Sequence, residues 1–169
     1  MYVDKTVKTP NKRYVILDDI RSAHNVGSIF RTSDGAGIDK VYLCGYTPKP
    51  VDRFGRTVAS LHKTALGAEQ IVPWEDVGDI VELVCKLKKN GVKVVVVEQA
   101  PHATSLPNFK TVSGQDVAYV FGNEIDGVQP GVCEIADEVV EIPMYGKKES
   151  LNVGVSVGVV LFTTHADWS

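Results

Sequence analysis

The stretches FGNEIDGV (residues 121–128) and EIPMYGKKESLNVGVSVGVVLF (residues 141–162) decide how this chain folds. In the first, a Gly-Asn-Glu turn follows an apolar run. In the second, a Ser-Leu-Asn step follows another apolar run and opens a helix made of apolar and small residues. Two strand ends therefore carry polar atoms towards a dry interior, which is how a ligand and catalytic cleft is built in an open α/β sheet. Residues 151–162 hold no charge, which predicts a helix buried all round. Gly154 and Gly158 share one face of it. Each costs about 1 kcal/mol relative to Ala in a helix, so their presence predicts another backbone lying very close, within the chain or across a subunit interface. A plain core helix packed on the sheet is the alternative.

Outward from these stretches, strand-like and helix-like segments alternate. Residues 14–18 (YVILD), 40–44 (KVYLC), 93–98 (KVVVVE), 117–121 and 138–142 read as strands. The unbroken β-branched run at 93–98 suits a strand buried on both faces. Residues 25–33 read as a helix on the spacing of Val26, Ile29 and Phe30, ended by Gly35 and Gly37. Residues 76–90 read as a second, with Val77, Ile80, Val81, Val84 and Leu87 on one face and Lys86, Lys88 and Lys89 in the last turn. Residues 61–67 predict one or two helical turns, 71–72 a short strand stopped by Pro73, and 45–60 a mobile loop rich in Pro and Arg. The alternation argues for a mostly parallel sheet with helices on both faces.

Composition narrows the function classes. A chain of 169 residues, 44% hydrophobic, fits a single domain over 1–169 with a substantial core. Charged residues at 23% argue against disorder. The three cysteines (Cys44, Cys85 and Cys133) are widely spaced and lack a CxxC, so neither a disulfide scaffold nor a zinc site is expected, and a reducing cytoplasm fits best. The N-terminus MYVDKTVKTPNKR has no apolar signal-peptide core. No run is long enough to span a bilayer, so no membrane role is expected. With a net charge of −3, nucleic-acid binding would need a local basic patch. Arg13, Arg21, Arg31, Arg53, Arg56, Lys63, Lys147 and Lys148 are the candidates for it.

Several chemistries lack their residues. Gly35-Ala36-Gly37 follows a helix rather than a first strand, and Lys40 stands where a dinucleotide site needs its third glycine. There is no phosphate-binding GxxxxGK[ST], no nucleophile elbow, no metal-ligand cluster and no histidine triad. His24 and His62 are candidates to face the cleft or solvent, while His102 and His165 read as surface residues.

The blocks RSAHNVGSIFRTSDGAGIDKVYLCG (21–45), VFGNEIDGV (120–128) and EIPMYGKKESLNVGVSVGVVLF (141–162), with HKTALGAE (62–69) between them, resemble the SpoU (TrmH-like) branch of the SPOUT RNA methyltransferases. The resemblance covers nearly the whole chain. It implies an α/β sheet whose C-terminal segment threads a loop to form a deep trefoil knot, a homodimer, and S-adenosylmethionine as methyl donor to a ribose 2′-hydroxyl of tRNA or rRNA. It places Gly122, Ile142, Met144 and Leu151 around the cofactor. Asn25 and Arg31 fall on the pair that meets the RNA, and Glu124, Ser150 and Asn152 complete the active site, with Asn152 also reaching the cofactor. Arg31 would act either as the base or as a bidentate clamp on a phosphate. The chain is expected to be close to a bare catalytic core without a separate RNA-binding domain. A knotted RNA-binding protein without turnover, and a base methyltransferase, are the alternatives.

Each residue type also has a plainer use. Asn25 and Ser150 are helix-capping types. Glu124 could complement a helix N-terminus. Asn152, at the head of an apolar helix, needs partners for its amide.

Overall fold

The computed structural model describes residues 11–165. Residues 1–10, which hold most of the N-terminus read above, and residues 166–169 lie outside that range. The chain runs β1 (Arg13–Asp18), α1 (Ala23–Gly35), β2 (Lys40–Cys44), α2 (Ala59–Ala65), α3 (Ala68–Ile71), β3 (Trp74–Val77), α4 (Ile80–Lys89), β4 (Lys93–Val97), β5 (Thr104–Ser105), a 3₁₀ turn (Leu106–Asn108), β6 (Val117–Phe121), α5 (Pro130–Ile135), β7 (Glu138–Glu141) and α6 (Val153–Thr163).

The strands form one seven-stranded sheet in the order β3-β2-β1-β6-β4-β7-β5, and every pairing is parallel. Apolar side chains alternate between two cores. Val15, Leu17, Val95 and Tyr119 face a layer made by α1, α2 and α6, while Ile16, Val94, Val96 and Val120 face α4 and α5. Burial on both faces is what the continuous apolar runs of β1, β4 and β6 demand. Because all strands run the same way, their carboxyl ends share one edge, where ligands bind in open α/β sheets.

Several boundaries differ from the sequence reading. Helix α1 begins earlier because Ser22 caps it, its Oγ accepting the Asn25 N–H at 3.2 Å. Residues 71–72 are not a strand: Ile71 ends α3, and the strand follows Pro73 as β3. Helix α4 starts at Ile80, where Asp79 Oδ1 accepts the N–H groups of Val81 and Glu82; Val77, counted above on the helix face, belongs to β3. Helix α5, opened by Pro130, and the two-residue β5 carry too little periodicity to announce themselves. Residues 45–60 are not a structureless loop, since Val51 and Thr57 form an antiparallel bridge and the end of the segment enters α2.

Within a single copy of the chain, helix α6 differs from two expectations. It is not buried all round, for Val155 is 52% exposed, and Leu151 just ahead of it is 39% exposed. Its glycines do face α1, but there a Cβ on Gly154 would meet Ser28 Cβ at 3.8 Å and one on Gly158 would meet Thr32 Cγ2 at 3.7 Å, which is ordinary contact; the tighter neighbour of Gly154 is the capping Asn152 Oδ1 at 3.2 Å. Within the chain, the close backbone approach lies elsewhere. A Cβ on Gly27 of α1 would overlap the Leu61 carbonyl oxygen and Thr64 Oγ1 of α2. Thr64 Oγ1 in turn donates to the His24 carbonyl at 2.8 Å.

Candidate active site

Three strand ends build the candidate site. After β6, residues 123–127 form a tight turn closed by reciprocal backbone bonds, Asn123 N–H to Gly127 O at 3.0 Å and Gly127 N–H to Asn123 O at 2.9 Å. The Asn123 side chain holds it from inside, Oδ1 accepting the N–H groups of Ile125 (2.8 Å) and Asp126 (3.1 Å) while Nδ2 donates to the Asp19 carbonyl (2.8 Å). Gly122 has to be glycine, because a Cβ there would overlap the Gly127 carbonyl carbon and the Val128 nitrogen. Gly127 has φ +72°, and a Cβ on it would run into the Glu98 carboxylate.

The end of β4 supports this turn. Glu98 Oε2 accepts the Val128 N–H at 3.0 Å, and Gln99 Nε2 donates to the Ile142 carbonyl at 2.8 Å, tying the end of β7 alongside. Beneath, the buried Asp18 carboxylate accepts the Gln129 backbone N–H at 2.9 Å and the Gln129 Nε2 at 2.8 Å. Burial pushes the Asp18 carboxyl up, and the two bonds from Gln129 only partly offset it.

Between these ends opens a cleft of about 300 Å³. Gly122, Glu124, Ile142, Met144, Ser150, Leu151 and Asn152 all line it. Asn123 of the Gly-Asn-Glu turn lines it too, as do Val97, Glu98, Gln99, Phe121, Ile125 and Ser156, which were not singled out from the sequence. The polar Glu-Gln pair closing the otherwise aliphatic β4 was the signal for two of them.

A polar cluster sits at the cleft mouth. Asn25 Nδ2 donates to Glu124 Oε1 at 3.1 Å, and Asn152 Nδ2 donates to Asn25 Oδ1 at 3.3 Å. Glu124 Oε2 accepts the Arg21 N–H at 3.1 Å. Partial burial alone would raise the Glu124 carboxyl, but these donors outweigh it and hold its pKa below the usual carboxylate value. Asn25 does not cap α1, since Ser22 does, and its amide is therefore spent on Glu124 and Asn152. Conversely Asn152, rather than Ser150, caps α6, its Oδ1 accepting the Gly154 N–H at 2.9 Å and the Val155 N–H at 3.4 Å.

Arg31 does not join the cluster. It lines a second hollow with Ser28, Thr32, Gly35, Lys63, Thr64, Leu66 and Phe162. Neither His24 nor His62 lines the cleft, and His62 Nδ1 pairs with the buried Glu69. Arg13, counted above as a candidate RNA contact, is buried. Its guanidinium donates to the carbonyls of Ala36 (3.0 Å) and Leu161 (2.6 Å), securing the C-terminal turn of α6. Among the described residues no group of His, Cys, Asp and Glu is placed to hold a metal ion, and no helix is long and apolar enough to cross a membrane. Cys44, Cys85 and Cys133 are free thiols.

An open, parallel α/β sheet with a polar cleft at its carboxyl edge defines the class of the molecule. Residues 12–162 match the SpoU rRNA Methylase family, and the chain belongs to it. The chain is 33% identical over 154 residues to the 23S rRNA (guanosine-2′-O-)-methyltransferase RlmB of Neisseria meningitidis serogroup B, covering 89% of this chain and 56% of that protein. It is 32% identical over 149 residues to the tRNA (guanosine(18)-2′-O)-methyltransferase of Aquifex aeolicus, covering 88% and 66%. Among solved structures, the AdoMet-bound rRNA methyltransferase of Sinorhizobium meliloti superposes with a TM-score of 0.80 at 26% identity, over 90% of this chain and 55% of that one. The chain thus spans about half to two thirds of the curated relatives it matches.

Proposed function

We propose that this chain is an S-adenosylmethionine-dependent RNA methyltransferase acting on a ribose 2′-hydroxyl of tRNA or rRNA. The observation that carries the reading is the Asn25–Glu124–Asn152 cluster at the mouth of a cleft floored by Gly122. The relatives named for guanosine 2′-O-methylation support the reaction, and the AdoMet-bound neighbour supports the cofactor.

The cleft residues fit that cofactor. Gly122 and Gly127 let the 123–127 turn fold back tightly as the cleft floor, and Ile142, Met144 and Leu151 supply apolar walls for an adenosine. When bound, S-adenosylmethionine supplies an electrophilic methyl group, so the protein's own task is alignment and proton handling. Asn25, held by Glu124 and Asn152, is oriented to meet a ribose. Ser150 stands on the cleft wall to complete the contact. A carboxyl depressed below its usual range is a weak proton acceptor, so Glu124 serves here chiefly to orient Asn25.

Arg31 enters from a second copy of the chain, because its own copy directs it to the other hollow. The exposed Val155 and Leu66 offer apolar surface for such a homodimer. There Arg31 acts as base or as phosphate clamp. The C-terminal segment is read as knotted. Support comes from the sheet order, in which β7 inserts between β4 and β5, strands joined only by residues 98–103, before the chain crosses to α6 against α1. Residues 1–169 act as one catalytic domain, and three free thiols suit the cytoplasm.

Calorimetric titration with S-adenosylmethionine and S-adenosylhomocysteine is the test. The expected result is saturable binding near one site per chain, lost in Gly122→Val and kept in Arg31→Ala, which abolishes methyl transfer. A folded dimer that binds neither compound would favour the non-catalytic RNA-binding alternative.

A further inference from the structure

The segment between β2 and α2 carries a feature that the cleft does not use. Phe54 stands at its tip 66% exposed, whereas Phe30, Phe109 and Phe121 are buried. Two cations lie over the ring, with Arg53 Cζ at 4.7 Å and Arg56 Cζ at 5.0 Å from its centroid. The tip is built rather than loose. Asp52 Oδ1 accepts the N–H groups of Phe54 (2.8 Å) and Arg56 (3.0 Å), and Asp52 Oδ2 accepts Arg56 Nε at 2.8 Å. Gly55 takes φ +76° to close the turn, and the Val51–Thr57 bridge ties its base.

We infer that Phe54, flanked by Arg53 and Arg56, is a stacking platform for an unpaired base of the RNA. The inference rests on the RNA methyltransferase reading and adds the kind of RNA it takes. A stack of phenylalanine and guanidinium planes offers sequence-tolerant stacking to a base that has left its helix, and the arginine charge meets the flanking phosphates. A paired base in a duplex cannot use such a ring. Because the chain is net negative, two arginines on one exposed aromatic are not part of a general basic background.

Placement agrees. The segment leaves the carboxyl end of β2, on the same sheet edge as the cleft. Only β1 separates β2 from β6, so the two strand ends lie about 10 Å apart at ordinary strand spacing. Asp19 links them directly, its carbonyl accepting Asn123 Nδ2 at 2.8 Å and its carboxylate accepting the Tyr46 N–H at 2.7 Å. Tyr46, at the base of the segment, is a second exposed aromatic, 92% accessible.

The test is fluorescence anisotropy with two labelled RNAs, a hairpin with an unpaired loop and a fully paired duplex of similar composition. Phe54→Ala should weaken hairpin binding roughly tenfold or more while changing duplex binding little, and Phe54→Trp should restore it. Arg53→Ala should lower the slope of log affinity against log salt by about one. Circular dichroism checks that the variants, all at exposed positions, stay folded. Hairpin affinity in Phe54→Ala equal to wild type overturns the inference and leaves the patch to a protein partner. Titration of the same preparations with S-adenosylmethionine separates the two readings, since its loss in wild type refutes the methyltransferase reading itself.

Discussion

Asn25 and Glu124, 99 residues apart in sequence, are joined by a 3.1 Å hydrogen bond that couples the first turn of α1 to the turn after β6. Through Asn152 the same bond reaches the head of α6, so three elements converge on one amide. Replacing Glu124 by Gln keeps the size and one oxygen but turns the other into an amide donor, so the side chain can no longer accept from both Asn25 Nδ2 and the Arg21 N–H. We expect Glu124→Gln to lower methyl transfer to RNA by roughly a hundredfold or more, in the range of losing one oriented polar group at a reacting centre. Cofactor affinity should stay near wild type. Single-turnover methyl transfer beside calorimetry separates the two, and unchanged turnover would remove Glu124 from the site.

The same variant carries a pH signature. Glu124 is held below its unfolded pKa, so its contribution to stability is complete above the ordinary carboxylate range and is lost as pH falls through the depressed value. Glu124→Gln should therefore be less stable than wild type at neutral pH, with the gap closing on acidification. Asp18 has the opposite sign, because burial raises its folded pKa and its contribution is lost as pH rises. The difference in urea midpoints between variant and wild type across pH, rather than the wild-type curve alone, isolates Glu124. A gap that is constant from acid to neutral pH would contradict the assignment.

The 123–127 turn sets a steric prediction. A Cβ at Gly122 overlaps backbone atoms of Gly127 and Val128, which cannot swing aside like a side chain. Even Gly122→Ala should then distort the cleft floor, costing about 1–3 kcal/mol as overpacking does, and weaken S-adenosylmethionine binding at least tenfold. Thermal unfolding and calorimetry on Gly122→Ala check both.

How much of this was legible beforehand follows from where the information sits. Strands such as Lys40–Cys44 and Val117–Phe121 are fixed by local apolar runs, and the parallel sheet follows from their spacing. Gly122, Glu124, Ser150 and Asn152 could be placed at one cleft because they stand at two strand ends in distinctive blocks. What sequence alone missed is non-local. Arg13 reads as a surface cation, yet it is buried because carbonyls of α1 and α6 need its donors. The start of α4 was misplaced because Val77 fits a helix face by spacing, while pairing with β2 claims it for a strand. Asn123 and Glu98 position the turn through bonds that no periodicity records.

The glycines of α1 and α6 give the last prediction, because within the chain it is Gly27 rather than Gly154 or Gly158 that meets another backbone. Gly154 and Gly158 looked like the close approach, yet Gly158 has room for a methyl group beside Thr32 Cγ2 at 3.7 Å. Gly158→Ala should therefore stabilise the protein by up to about 1 kcal/mol through helix propensity alone. Gly158→Leu should destabilise it, because its longer side chain must displace α1. Gly27 is the opposite case: its missing Cβ makes way for the Leu61 carbonyl, an acceptor fixed in the backbone of α2. Gly27→Ala gains the same propensity but must push α2 away from α1, for a net loss of about 1–3 kcal/mol. Urea unfolding of the two alanine variants side by side should move the midpoints in opposite directions. Equal shifts would mean that the α1–α2 contact yields as easily as the α1–α6 contact does.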